Sequence, residues 1–152
     1  MRGHVALVIP VLMLISVCPL RAYSPDDKPT DQQSIAALQA RISQAQPREQ
    51  CYLYAELLHQ LTEFTMRQYA LGNTEKANDL LKQIREVANK VHLSVADNDK
   101  RLKNAEILLR HTAFRLNEML HASAFEDRPV VQETLAQVNK AESEAMLQVF
   151  KK

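Results

Sequence analysis

Glycine is almost missing from this chain. Gly3 and Gly72 are the only two in 152 residues. Sheet proteins place glycine at the left-handed positions of tight hairpins, so this scarcity argues against a fold built from strands. Ala, Leu, Gln, Glu, Lys and Arg are plentiful instead, and these residues enter a helix at little cost. The expected fold class is all-α.

The clearest helical stretch runs from Lys100 to His121 and holds neither Gly nor Pro. Leu102, Ala105, Leu109, Thr112, Ala113, Leu116 and Leu120 fall on one stripe at helical spacing. A second line climbs the far side through Ile107, His111, Phe114, Glu118 and His121. Apolar residues on two faces imply a central helix or one with a second contact. Ile107, His111 and Phe114 are therefore the candidate interaction residues, to be covered by the first helix or by another chain.

Residues 1–22 read as a secretory signal. Arg2 and His4 lead, Val5 to Val17 is apolar but short for a bilayer span, and Ala22 offers a small residue for cleavage. The expected location is periplasmic or secreted. The alternative is a lipoprotein anchored at Cys18, although Val17 and Pro19 do not suit a lipidation signal. Losing residues 1–22 removes Arg2 and Arg21 and no acid, leaving 17 basic against 18 acidic residues. Such a balance gives no footprint for nucleic acid. The expected mature chain has no membrane span. It keeps one cysteine, Cys51, so no disulfide framework holds it together.

Residues 23–30 form a polar linker, and 31–152 a single domain. Thr30 to Gln33 fits a capping box opening a first helix near 31–46, with Ile35, Leu38 and Ile42 inward. Pro47 suits the first turn of a second helix ending near Gly72, a C-cap residue. Its inward stripe is Tyr54, Leu57, Leu58, Leu61, Phe64, Thr65 and Gln68. A third helix near 75–92 turns Ala77, Leu80, Leu81, Ile84, Val87, Ala88 and Val91 inward. Asp97, Asn98 and Asp99 disfavour helix, so a hairpin is expected there; one kinked helix over 75–121 is the other reading. Asp127 can cap a fifth helix near 129–150, with Val131, Leu135, Val138, Ala145 and Val149 inward. Short connections favour antiparallel neighbours. The expected architecture is an up-down antiparallel bundle of about four long helices with a shorter N-terminal one.

Two Glu-x-x-His pairs occur, Glu56 with His59 and Glu118 with His121. In ferritin-like bundles this spacing supplies di-iron ligands, and Glu86 and Glu142 could complete a set. The phase opposes a centre inside the bundle. At 100° per residue Glu56 and His59 lie opposite Leu61, and Glu118 lies opposite Leu109. Solvated surface pairs are expected instead. An outer-face divalent site from His59 with Glu63, or His111 with Glu118 or His121, is the metal-binding alternative. No cofactor is implied. Cys51 lies where a helix dipole favours a thiolate, but a small buried apolar role suits it better.

Gly72 to Ala77 with Leu80 and Leu81 looks like the middle of a tetratricopeptide unit. The likeness covers one hairpin and never repeats. The stretches Pro47 to Glu56, Lys103 to Arg110 and Gln148 to Lys152 resemble short exported bacterial helical proteins of no assigned function. That resemblance points to no particular activity and to no site residues. The expected function is contact with a protein partner or a second copy, without catalysis.

Overall fold

A computed structural model describes residues 31–95 and 101–151. The expected signal segment, the linker, Cys18, Thr30 and Asp97 to Asp99 lie outside the described residues. Among the described residues there are five helices: α1 Gln32–Gln44, α2 Pro47–Ala70, α3 Thr74–Ser94, α4 Leu102–Ala122 and α5 Arg128–Phe150. No helix among the described residues is long and apolar enough to cross a membrane.

Local chemistry sets the boundaries. The capping box sits one residue later than expected. Asp31 accepts from the Ser34 amide at 2.7 Å, and the Ser34 hydroxyl accepts from the Asp31 amide at 3.2 Å. Pro47 occupies the first turn of α2, where no amide hydrogen is needed. Gly72 ends α2 with a left-handed φ of 79°. Its amide donates to the Tyr69 carbonyl at 3.0 Å and that of Asn73 to the Gln68 carbonyl at 2.9 Å. These two bonds complete a Schellman motif.

The long-helix reading of 75–121 is overturned. α3 stops at Ser94, and Arg101, just before α4, has a left-handed φ of 64° that no continuous helix accommodates. Its guanidinium lies 3.4 Å from the centre of the Tyr52 ring, which ties the start of α4 to α2.

The four long helices make one bundle. α2 packs against α3 and α4, and α5 packs against the same two, while α1 lies on α2. α3 and α4 therefore sit across a diagonal despite being consecutive. The expectation that consecutive helices are packed neighbours fails there. Paired residues give the directions. His59 and Glu63 of α2 meet His111 and Arg115 of α4 in rising order. Arg85, Asn89 and His92 of α3 likewise meet Thr134, Gln137 and Glu144 of α5. Both of these neighbouring pairs run parallel.

The core joins all five helices. The expected stripes of α1 and α3 are buried residue for residue. α4 buries Leu102, Ala105, Leu109, Thr112 and Leu116 as expected, with Glu106 and Met119 added. α5 buries Val131, Val138 and Ala145, while Leu135 and Val149 are half-buried. Three buried threonines on α2, α4 and α5 satisfy their hydroxyls within the helix, whereas the buried Thr62 Oγ1 has no partner among the described residues. Thr65, Thr112 and Thr134 donate to the carbonyls of Leu61, Leu108 and Val130 at 2.7, 2.8 and 2.8 Å.

The hub is α2, not α4. With α1, α3 and α4 around it, α2 buries Cys51, Leu53, Ala55, Leu57, Leu58, Leu61, Thr62, Thr65 and Gln68. Tyr54 and Phe64, expected inside, are half-buried at its margins. Among the described residues α4 packs chiefly against α2 and α5, which makes it an edge helix with an exposed back.

Candidate functional site

The open back of α4 carries the interaction residues. Ile107 is 46% exposed and Phe114 58%, and His111 between them is exposed. The first expected cover is absent. α1 lies on α2, with Ile35 and Ala36 beside Leu61, Phe64 and Leu80 in a cleft next to α3. Its Ile35, Leu38 and Ile42 are consumed by the core, so they cannot serve the α4 face. Lys103 and Glu118 bracket that face and are exposed.

His111 is shared between this face and the α2–α4 seam. Its ring centroid lies 5.0 Å from that of His59. One turn further on, Arg115 donates to both oxygens of Glu63, from Nε at 2.6 Å and Nη2 at 3.1 Å. Its Nη1 donates to Glu118. A guanidinium is matched to this two-point grip on a carboxylate. Burial alone would raise the pKa of Glu63. The hydrogen bonds and charge of Arg115 outweigh that, and the net direction is down. The Arg115 pKa is raised by the same bonds.

His59 corrects the sequence reading. It does lie opposite Leu61, but that side of α2 faces α4 rather than water. Its Nδ1 is buried with no hydrogen-bond partner among the described residues. Burial lowers its pKa. The Glu63 charge pushes the other way, while His111 and Arg115 reinforce the fall. A neutral imidazole is the form that this seam accommodates.

The metal candidates are drawn into different roles. Glu56 is half-buried and His121 exposed, while Glu118 pairs with Arg115. Among the described residues, no group of three or more His, Cys, Asp or Glu is arranged to hold a metal ion. The guanidinium of Arg115 stands where a cation bridging Glu63 and Glu118 would have to stand. Glu142, half-buried on α5, meets Glu106 rather than a ligand set. Burial and the neighbouring Glu106 carboxylate raise its pKa, and Arg110 opposes this from 3.2 Å off Glu106. Cys51 is fully buried, and desolvation pushes its thiol up to about 11. It remains protonated and inert at neutral pH.

Asp127 does not cap α5 with its side chain. It accepts instead from the Tyr69 hydroxyl at 3.0 Å and from Asn78 at 3.4 Å. The Tyr69 oxygen accepts in turn from the Ala124 amide at 2.7 Å. This brace fixes the α4–α5 connection to α2 and α3.

Sequence reasoning did not find Arg115 or Glu106. The Arg115–Glu118 spacing of three residues was visible, but its link to Glu63 needs the parallel placement of α2 and α4. Compared with known proteins, the chain matches no protein-family model, no curated protein and no solved structure.

Proposed function

We propose that this chain is an exported, non-enzymatic helical bundle that works by protein contact through the outer face of α4. One observation carries the reading: Ile107 and Phe114 stand exposed two turns apart on the same side of an edge helix. Single exposed apolar residues are ordinary, but two aligned ones make a strip that a partner can desolvate. Burying the exposed half of each would contribute about 1 kcal/mol. The groups that chemistry would recruit are committed elsewhere. Arg115 occupies the Glu63 and Glu118 carboxylates, and the Cys51 thiol is buried and protonated.

The test is cross-linking in the native envelope with wild type and the Ile107→Asp, Phe114→Asp double variant. The double variant is expected to stay folded by circular dichroism, since α1 does not lean on this face, and to lose its cross-linked products. Unchanged products would remove the reading. Export is tested by fractionation with mass determination, with a mature chain beginning at Tyr23 and no lipid at Cys18 expected.

A further inference from the structure

We infer that the partner at the α4 face is a second copy of this chain, docked with its α4 antiparallel and the two-fold axis passing between Arg110 and His111. This rests on the contact reading of the face and adds its occupant and register. The order of residues along the outer stripe points to both. Lys103, Ile107, Phe114 and Glu118 lie within a narrow arc of the helix at about 100° per residue. All four are exposed, and none belongs to the core. Their charges sit at opposite ends, basic first and acidic last.

That order is self-complementary in one direction. An antiparallel pairing centred between Arg110 and His111 sets Ile107 against Phe114 of the second copy, twice. It also sets Lys103 against Glu118 of the second copy, twice. A parallel pairing would set Lys103 beside Lys103 and Glu118 beside Glu118, which repels at both ends. An isologous contact needs a patch that matches its own rotated image, and this stripe does. Arg115 already holds one oxygen of Glu118 from the same helix, which orients that carboxylate while leaving it exposed.

The contact is small. From Lys103 to Glu118 the stripe is about 22 Å long at roughly 1.5 Å per residue. One helix face of this length falls short of the roughly 800 Å² per partner that a standard stable interface buries. The dimer is therefore weak, and its population rises with concentration.

Sedimentation velocity on purified wild type, Lys103→Glu and Glu118→Lys, alone and mixed, tests the register. Wild type should associate as concentration rises. Each variant alone should associate about tenfold less or weaker still, because each places like charges at both ends of the pair. An equimolar mixture should recover dimers. The carboxylates at both positions of the Lys103→Glu copy then meet the ammonium groups at both positions of the Glu118→Lys copy. Circular dichroism melts show that each variant is folded, and recovery on mixing would be impossible for a misfolded one. The register is overturned if the mixture stays monomeric, or if the single variants associate like wild type. A wild type that is monomeric at every concentration overturns self-association as a whole. If envelope cross-links dependent on Ile107 and Phe114 nevertheless persist, the contact reading survives and only the second copy is lost. If those cross-links are absent too, both fall.

Discussion

The two parallel seams of the bundle are held in opposite ways. Between α2 and α4 the polar contacts are concentrated within about two turns. His59 meets His111, and Arg115 grips Glu63 with both groups 29% exposed. Between α3 and α5 they come as separate single rungs: Arg85 to Thr134 at 3.1 Å, Asn89 to Gln137 at 2.6 Å, then His92 to Glu144. The concentrated seam desolvates its charges and so depends on every partner being present. The distributed seam is no wetter at Arg85 and Glu144, which are 25% and 28% exposed, but its rungs are separate single contacts, so losing one leaves the others in place. Parallel neighbours cannot be joined by a tight turn, so both seams need side-chain pairs to fix their register. Only one of them does so in a way that a single substitution can undo.

The largest expected effect lies in the core that both seams share. Leu109→Ala removes a fully buried side chain from α4 and should cost about 2–5 kcal/mol. Lys103→Ala on the outer face should cost well under about 1 kcal/mol. Urea melts of the two variants check this, and equal costs would mean that the inward face of α4 is misassigned. Next comes the concentrated seam. Arg115→Ala strands Glu63 in a half-buried position and should cost about 1–3 kcal/mol by the same melts. Arg115→Lys should recover only part of that, because an ammonium cannot span both carboxylate oxygens. If Arg115→Ala is as mild as a surface change, the contrast between the seams fails.

Legibility followed the number of neighbours each helix has. On α3 and α1, packed along one side, a single period picks out the buried residues, and Ile35, Leu38, Ile42 and the α3 stripe all lie inside. The residues around α2 could not be sorted that way. One apolar stripe describes a helix with one buried face, and α2 has α1, α3 and α4 around it. His59 was thus placed correctly in angle and wrongly in environment. The diagonal relation of α3 and α4 was hidden because connection length constrains distance between ends, not which corner the next helix takes. At the candidate site, the exposed line of Ile107 and Phe114 was readable from phase alone. The meeting of His59 with His111, and of Glu63 with Arg115, was not, because it depends on a register between helices some fifty residues apart in sequence.

Acid should separate the seams further. The fold lowers the pKa of His59 from 6.5, chiefly by burial. The unfolded chain then takes up a proton more readily than the folded one. The stability from neutral His59 is complete above about pH 6.5 and is lost as the pH falls through and below that value. Glu142 acts in the reverse sense. Its folded pKa is raised from 4.5, so its contribution is present below that pH and is lost as the pH rises through the folded value. Thermal melts at about pH 7.5 and about pH 5.5 should show a drop for wild type that His59→Asn reduces. Glu142→Gln should raise the melting temperature at about pH 7.5 by relieving a half-buried charge beside Glu106. A drop of the same size in His59→Asn would place the acid sensitivity outside the α2–α4 seam.

The smallest effect is expected at the distributed seam, and it is the sharpest test of the comparison. Asn89 and Gln137 share a 2.6 Å hydrogen bond between exposed side chains. Short geometry alone suggests strength. Exposure argues the other way, because in the unfolded chain both amides bond to water equally well, and in the folded chain water competes for the same lone pairs. Holding two flexible side chains together also costs rotamer entropy. The net should be under about 0.5 kcal/mol for Gln137→Ala. A double-mutant cycle isolates the pair term from the separate loss of each side chain. The Asn89→Ala, Gln137→Ala cycle should give a coupling within about 0.5 kcal/mol of zero, and the Glu63→Ala, Arg115→Ala cycle one of about 1 kcal/mol or more. Equal couplings would show that the α3–α5 rungs hold register as firmly as the half-buried ion pair, and the difference drawn between the two seams would then rest on geometry without energetic consequence.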